Sequence, residues 1–158
     1  MNLGTEVAAL FRRDLKRLAQ EIEQFPDDAS LWSAAPGVRN SAGNLALHLE
    51  GNLREYVGRQ LGGVDYSRSR KQEFTATGLT RVEMKSRMEA LASSIPDVIA
   101  GLSSADWERV YPQQVLGIPL STAQFVIHLH GHFNFHLGQI DYLRRVLTQS
   151  GAVDFAPL

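Results

Sequence analysis

Four of the five histidines, His128, His130, His132 and His136, fall within the stretch Ile127 to Ile140, IHLHGHFNFHLGQI, and the fifth, His48, stands alone far upstream. Imidazole titrates near neutral pH and is the commonest protein ligand of transition metals. The chain has no cysteine, so any metal site in it must be built from His, Asp or Glu, and disulfides and a thiol nucleophile are excluded. If the cluster is helical, His132 and His136 lie four residues apart on one face, and both rings can reach a single cation. The same spacing also fits a hydrogen-bonded core pair, because a buried histidine needs partners whether or not a metal supplies them. Helical geometry puts His128 about 60° from the centre of that face, where it either joins a site or caps its mouth. His130 points to the opposite side and is assigned no role beyond a surface or interface residue.

Competing chemistries lack their residues. Ferritin-like dinuclear sites need Glu-x-x-His on two helices, and no histidine here is preceded by Glu at that spacing. The zinc-protease H-E-x-x-H pattern, a glycine-rich phosphate loop and a strained nucleophile elbow are also missing.

Helices must position these side chains. From Asn2 or Thr5 to about Gln24, Val7, Phe11, Leu15, Leu18 and Ile22 recur at three- and four-residue intervals and predict an amphipathic helix that stops at Phe25-Pro26-Asp27-Asp28. Leu31 to Arg39 reads as an ordered loop pinned by Leu31 and Trp32. Ser41 is placed to cap a second helix running to about Gln60, with Leu45, Leu49, Leu53 and Tyr56 inward and His48 on the border of that stripe. Gly62 to Gly78 reads as a long exposed connection.

Thr80 and Glu83 form a capping box, with Leu79 and Met84 as the hydrophobic staple, and open a third helix that Pro96 is expected to kink or divide. Val110 to Pro119 looks extended, with room for a short strand. A second capping box, Ser121 and Gln124, opens a last helix reaching about Gln149, whose inward seam is Phe125, Leu129, His132, His136, Ile140, Leu143 and Leu147. The fold class is therefore all-α, a four-helix bundle with a long connection between helices 2 and 3.

The 158 residues, 44% hydrophobic, suit one domain over residues 1–158. Sixteen basic against seventeen acidic residues leave no broad footprint for nucleic acid, and the local cluster Arg12, Arg13, Lys16 and Arg17 reads as a solvated helix face. With no membrane-length apolar run and no signal-peptide layout, the expected location is cytoplasmic.

The run His132-Phe133-Asn134-Phe135-His136-Leu137-Gly138-Gln139-Ile140 resembles the H-x-x-x-H-x-G-Q-I signature that closes the last helix of the DinB-like (DinB/YfiT) superfamily of metal-binding four-helix bundles. His48 near the start of the second helix, the Pro, Gly, Asn and Ser-rich segment from Trp32 to Asn44 and the long connection after helix 2 are similar to that layout. The resemblance spans about Thr5 to Gln149. It implies that His48, His132 and His136 are three ligands of one divalent metal, with zinc, nickel or iron suited to neutral imidazoles and with coordination positions left open.

It further implies a metal-dependent enzyme of the thiol transferase or hydrolase type, acting on a small molecule such as a low-molecular-weight thiol. The alternative is a non-catalytic metal-binding or stress-response module whose ion is structural. Asn44, Asn52 and Gln139 are candidates to orient the ligating rings. Gly138 is expected to allow close helix packing. The resemblance also implies a homodimer, for which Phe133, Phe135 and Leu137 offer apolar surface unless the same bundle covers them.

Overall fold

The computed structural model describes residues 2–154. Among them, seven α-helices and one π-helical turn follow in order: α1 (Leu3–Glu23), α2 (Asp28–Leu31), α3 (Ala42–Leu53), the π turn (Arg54–Arg59), α4 (Arg70–Thr75), α5 (Arg81–Ala100), α6 (Ser104–Glu108) and α7 (Thr122–Thr148). The long ones, α1, α3 with its π extension, α5 and α7, form a four-helix bundle.

Their starts follow the sequence closely. Ser41 accepts a hydrogen bond from the Asn44 N–H, and Thr80–Glu83 and Ser121–Gln124 form complete capping boxes that satisfy backbone donors no helical carbonyl can reach. Phe11, Leu15, Leu18, Ile22, Leu49, Met84, Met88, Ile99, Phe125 and Ile140 are essentially removed from solvent and supply the core between the four helices.

Cross-helix pairs fix the directions. Arg12 meets Asp97 and Glu23 meets Lys85, so α1 and α5 are antiparallel. Asp14 meets His130 while Glu21 meets Arg144, so α1 and α7 are parallel. Tyr56 packs on Phe125 and His48 on His132, which makes α3 antiparallel to α7 and parallel to α5. Two consecutive long helices that run parallel require the chain to return along the bundle between them, and the connection from Arg59 to Arg81 is that crossover.

Three local expectations change. Pro96 does not divide α5; it leaves the Ala92 carbonyl without its helical donor, and the Arg12 guanidinium reaches that oxygen at 3.3 Å. The Val110 to Pro119 segment makes only an isolated bridge, Val110 to Ser121. The crossover is not a bare exposed loop, because its middle folds into α4 and presses the buried side chain of Glu73 onto α3. Asn44 anchors it there, donating to the Glu73 and Ala76 carbonyls at 3.1 and 3.0 Å, and the Trp32 indole N–H donates to the Leu79 carbonyl at its far end.

Candidate metal centre

His48 projects from the middle of α3, and His132 and His136 project from successive turns of α7. The antiparallel pairing of these helices brings the three rings together, with one potential ligand atom from each lying within 4.8 Å of the others. His48 is buried, and His132 and His136 are half-buried, so the group opens on the α7 side. The ring planes stand near-perpendicular: 79° for His48 with His132, 89° for His48 with His136 and 90° for His132 with His136. Rings that stand edge to face turn their nitrogens to a common point instead of stacking.

Hydrogen bonds at the outer nitrogens decide which nitrogen faces inward. His48 Nδ1 lies 2.9 Å from Glu73 Oε2, and His136 Nδ1 lies 2.7 Å from Gln139 Oε1. Both partners accept, so both Nδ1 atoms carry the proton and both Nε2 atoms keep a lone pair for the centre. The His48 and His132 Nε2 atoms are 3.2 Å apart. Two nitrogens bound to one tetrahedral zinc at ~2.0–2.1 Å would stand ~3.3 Å apart, so this separation already suits a single ion. The donor set is three imidazoles with no thiolate or carboxylate among them, which fits zinc, nickel or iron and not magnesium or calcium.

Protonation favours the same chemistry. Burial, followed by the neighbouring His136, His48 and His128 and the Arg70 guanidinium, pushes the His132 pKa down to about 4. Burial also lowers that of His136, against the Gln139 hydrogen bond that opposes it, and His48 adds to the lowering. Both rings are therefore neutral, the ligating form, across the physiological range.

Glu73 holds the site from behind. Its carboxylate accepts from Arg68 at 2.6 and 2.9 Å as well as facing His48, and these bonds keep its pKa below the ordinary glutamate range although burial pulls the other way. Such close approach requires a glycine opposite. A Cβ on Gly51 would stand 2.0 Å from Glu73 Oε1. Phe74, next along α4, packs on the His48 ring at 5.0 Å. Asn52 donates to His48 Nε2 at 3.2 Å, placing its amide beside the inward nitrogen instead of behind the ring.

The family model described as a protein of unknown function, DUF1572, matches residues 4–153. The chain belongs to this family. No curated protein matches it. Among solved structures, a DinB-like protein from Bacillus cereus is similar at 18% identity with a TM-score of 0.65, covering 92% of this chain and 91% of that one. A conserved protein from Enterococcus faecalis is similar at 12% identity with a TM-score of 0.74, covering 95% and 99%. The DUF1572 chain thus has a DinB-like fold, and no helix among its described residues is long and apolar enough to cross a membrane.

The other histidines of this DUF1572 protein separate cleanly from the centre. His128 is exposed, 6.4 Å from the Phe125 ring, and is not one of the three grouped residues. His130 is more than a surface residue: its Nε2 lies 2.9 Å from the carboxylate of fully buried Asp14, which also accepts from Asn134, Arg13 and Arg17. This network ties α7 to α1 and holds the Asp14 pKa far below the usual carboxylate range, with the hydrogen bonds from His130, Arg13 and Asn134 overcoming the opposing effect of burial.

Gln139 takes the orienting role expected of it, whereas Asn44 acts indirectly by anchoring the backbone that carries Glu73. Glu73 itself went unrecognised in the sequence. The only trace was an acidic residue in a segment otherwise rich in Arg, Lys, Ser and Gly.

Proposed function

We propose that His48, His132 and His136 bind one divalent transition metal ion, zinc, nickel or iron, in a mononuclear centre that serves catalysis on a small molecule. The observation that carries this reading is the convergence of three imidazoles, two of them locked at Nδ1 by Glu73 and Gln139, on a point reached from the half-open α7 side. A bound ion of this kind supplies charge that lowers the pKa of a water or thiol at an open position. The protein's own groups fix the rings, with Phe74 packed against that of His48, while Asn52 offers an amide next to the inward nitrogen of His48.

Thiol transfer or hydrolysis is the reaction class this arrangement suits. The test is elemental analysis of protein purified without an affinity tag, alongside His132→Ala and His136→Ala. We expect about one metal per chain in the parent and marked loss in both variants; equal metal content in all three proteins removes the assignment.

A structural ion is the second reading, favoured by the fact that the three histidines join α3 to α7 across the bundle. A steep fall in Tm on chelation, with no exchangeable ligand at the metal, would support it over catalysis.

We also propose a homodimer. Phe133 and Leu137 are core residues here, which removes them from the surface expected to pair, but Ile127, Phe135, Tyr142 and Val146 remain exposed within an arc of about 100° along α7. Gly138 meets no neighbouring helix within 4 Å and leaves that face open to a partner. Light scattering that finds a monomer at every concentration would exclude the dimer.

A further inference from the structure

One cation close to the centre has no carboxylate partner among the described residues. Every arginine except Arg39 and Arg70 pairs with a carboxylate among the described residues. Arg39 lies in the loop between α2 and α3, whereas Arg70 opens α4, the short helix that also delivers Glu73 and Phe74 to His48. The Arg70 guanidinium lies over the Phe74 ring at 5.7 Å, and Phe74 packs at a tilt against His48 at 5.0 Å, so the cation and the first imidazole contact the same aromatic ring.

No carboxylate pairs with Arg70 among the described residues. The grouped residues are all imidazoles, with no thiolate or carboxylate among them, so an ion held by them keeps its full charge. The nearest carboxylate, Glu73, is already neutralised by Arg68. Arg68 and Arg70 stand two residues apart, yet one is consumed in holding the site together and the other is exposed with its planar donors uncommitted to any carboxylate. A guanidinium in that state suits the two oxygens of a carboxylate.

Resting on the metal reading above, we propose that the molecule this centre accepts bears a carboxylate a short spacer away from its metal-seeking atom, and that Arg70 is the specificity-determining residue that receives it. Half-buried Phe74 contacts both Arg70 and His48 and offers apolar surface beside the spacer.

The experiment uses cobalt(II)-loaded protein and two thiols of similar length, 3-mercaptopropionate and 2-mercaptoethanol, titrated by the sulfur-to-cobalt charge-transfer band. The ion's own charge favours an anion in any case, so the informative comparison is between Arg70→Gln and Arg39→Gln, which remove the same charge from different places. Arg70→Gln should weaken 3-mercaptopropionate about tenfold, the scale of one charge-assisted hydrogen bond in a half-open site, and leave 2-mercaptoethanol within twofold. Arg39→Gln should change neither. Equal loss in both variants, or none in either, overturns the proposal while bound cobalt leaves the metal reading standing. A parent protein that takes up no stoichiometric cobalt overturns both.

Discussion

Replacing Glu73 with Gln tests how far the geometry behind His48 governs the centre. The carboxylate is buried, stands 2.9 Å from His48 Nδ1 and accepts twice from Arg68. Gln keeps the volume and one acceptor oxygen but loses the charge that raises the basicity of the ring. Partners of this kind are worth ~10–100-fold in metal affinity, and because Gln retains an acceptor the lower end, about tenfold or ~1.4 kcal/mol, is expected. Glu73→Ala is less informative, since it strands Arg68, whose side chain is only 11% exposed, and mixes a folding cost of a few kcal/mol into the result.

Gly51→Ala makes the sharper companion because it removes no polar atom. The new Cβ would stand 2.0 Å from Glu73 Oε1 and 2.8 Å from its Cδ, so the carboxylate must swing away and give up its bonds to His48 and Arg68. Within α3 itself alanine is the better helix former by about 1 kcal/mol, which partly offsets the lost contacts and separates affinity from stability. Competition of metal-free protein against a chromophoric zinc chelator, with a melting curve for each variant, measures both quantities. Folded Glu73→Gln and Gly51→Ala proteins that each bind zinc within twofold of the parent would refute the reasoning.

His130→Ala removes one of several bonds to buried Asp14 and should cost about 1–3 kcal/mol in chemical denaturation without changing metal content. Metal loss in that variant would contradict the separation of His130 from the centre. For His132, the folded pKa of about 4 lies below the ordinary value of 6.5, so the unfolded chain binds more protons between these limits. Stability of the metal-free protein should therefore fall as pH drops from about 6.5 towards 4. His132→Asn should flatten that slope, and urea midpoints that are independent of pH across the window in the parent would contradict it.

The sequence made the long helices and their starts legible because both depend on short-range rules. Capping boxes at Thr80 and Ser121 act over three residues, and apolar spacing reports which face turns inward. The centre was harder to read. Spacing alone paired His132 with His136 but could not distinguish ligands from a core pair, and His48 entered through resemblance because its contact with His132 is 84 residues away along the chain.

Element α4 escaped for a different physical reason. It is six residues long, and its one buried residue is Glu73, so hydrophobic periodicity had nothing to detect. A charged residue becomes a burial signal only when its counter-charge and the cleft that admits it are known. Here these are Arg68, five residues away, and Gly51, on another helix. Arg68 lies in the stretch that reads as an exposed connection, and nothing in the sequence marks Gly51, yet together the two residues make room for one carboxylate and neutralise it. The crossover that parallel α3 and α5 require is thus also the segment that orients His48, so the topology of the bundle and the chemistry of its centre depend on the same stretch of chain.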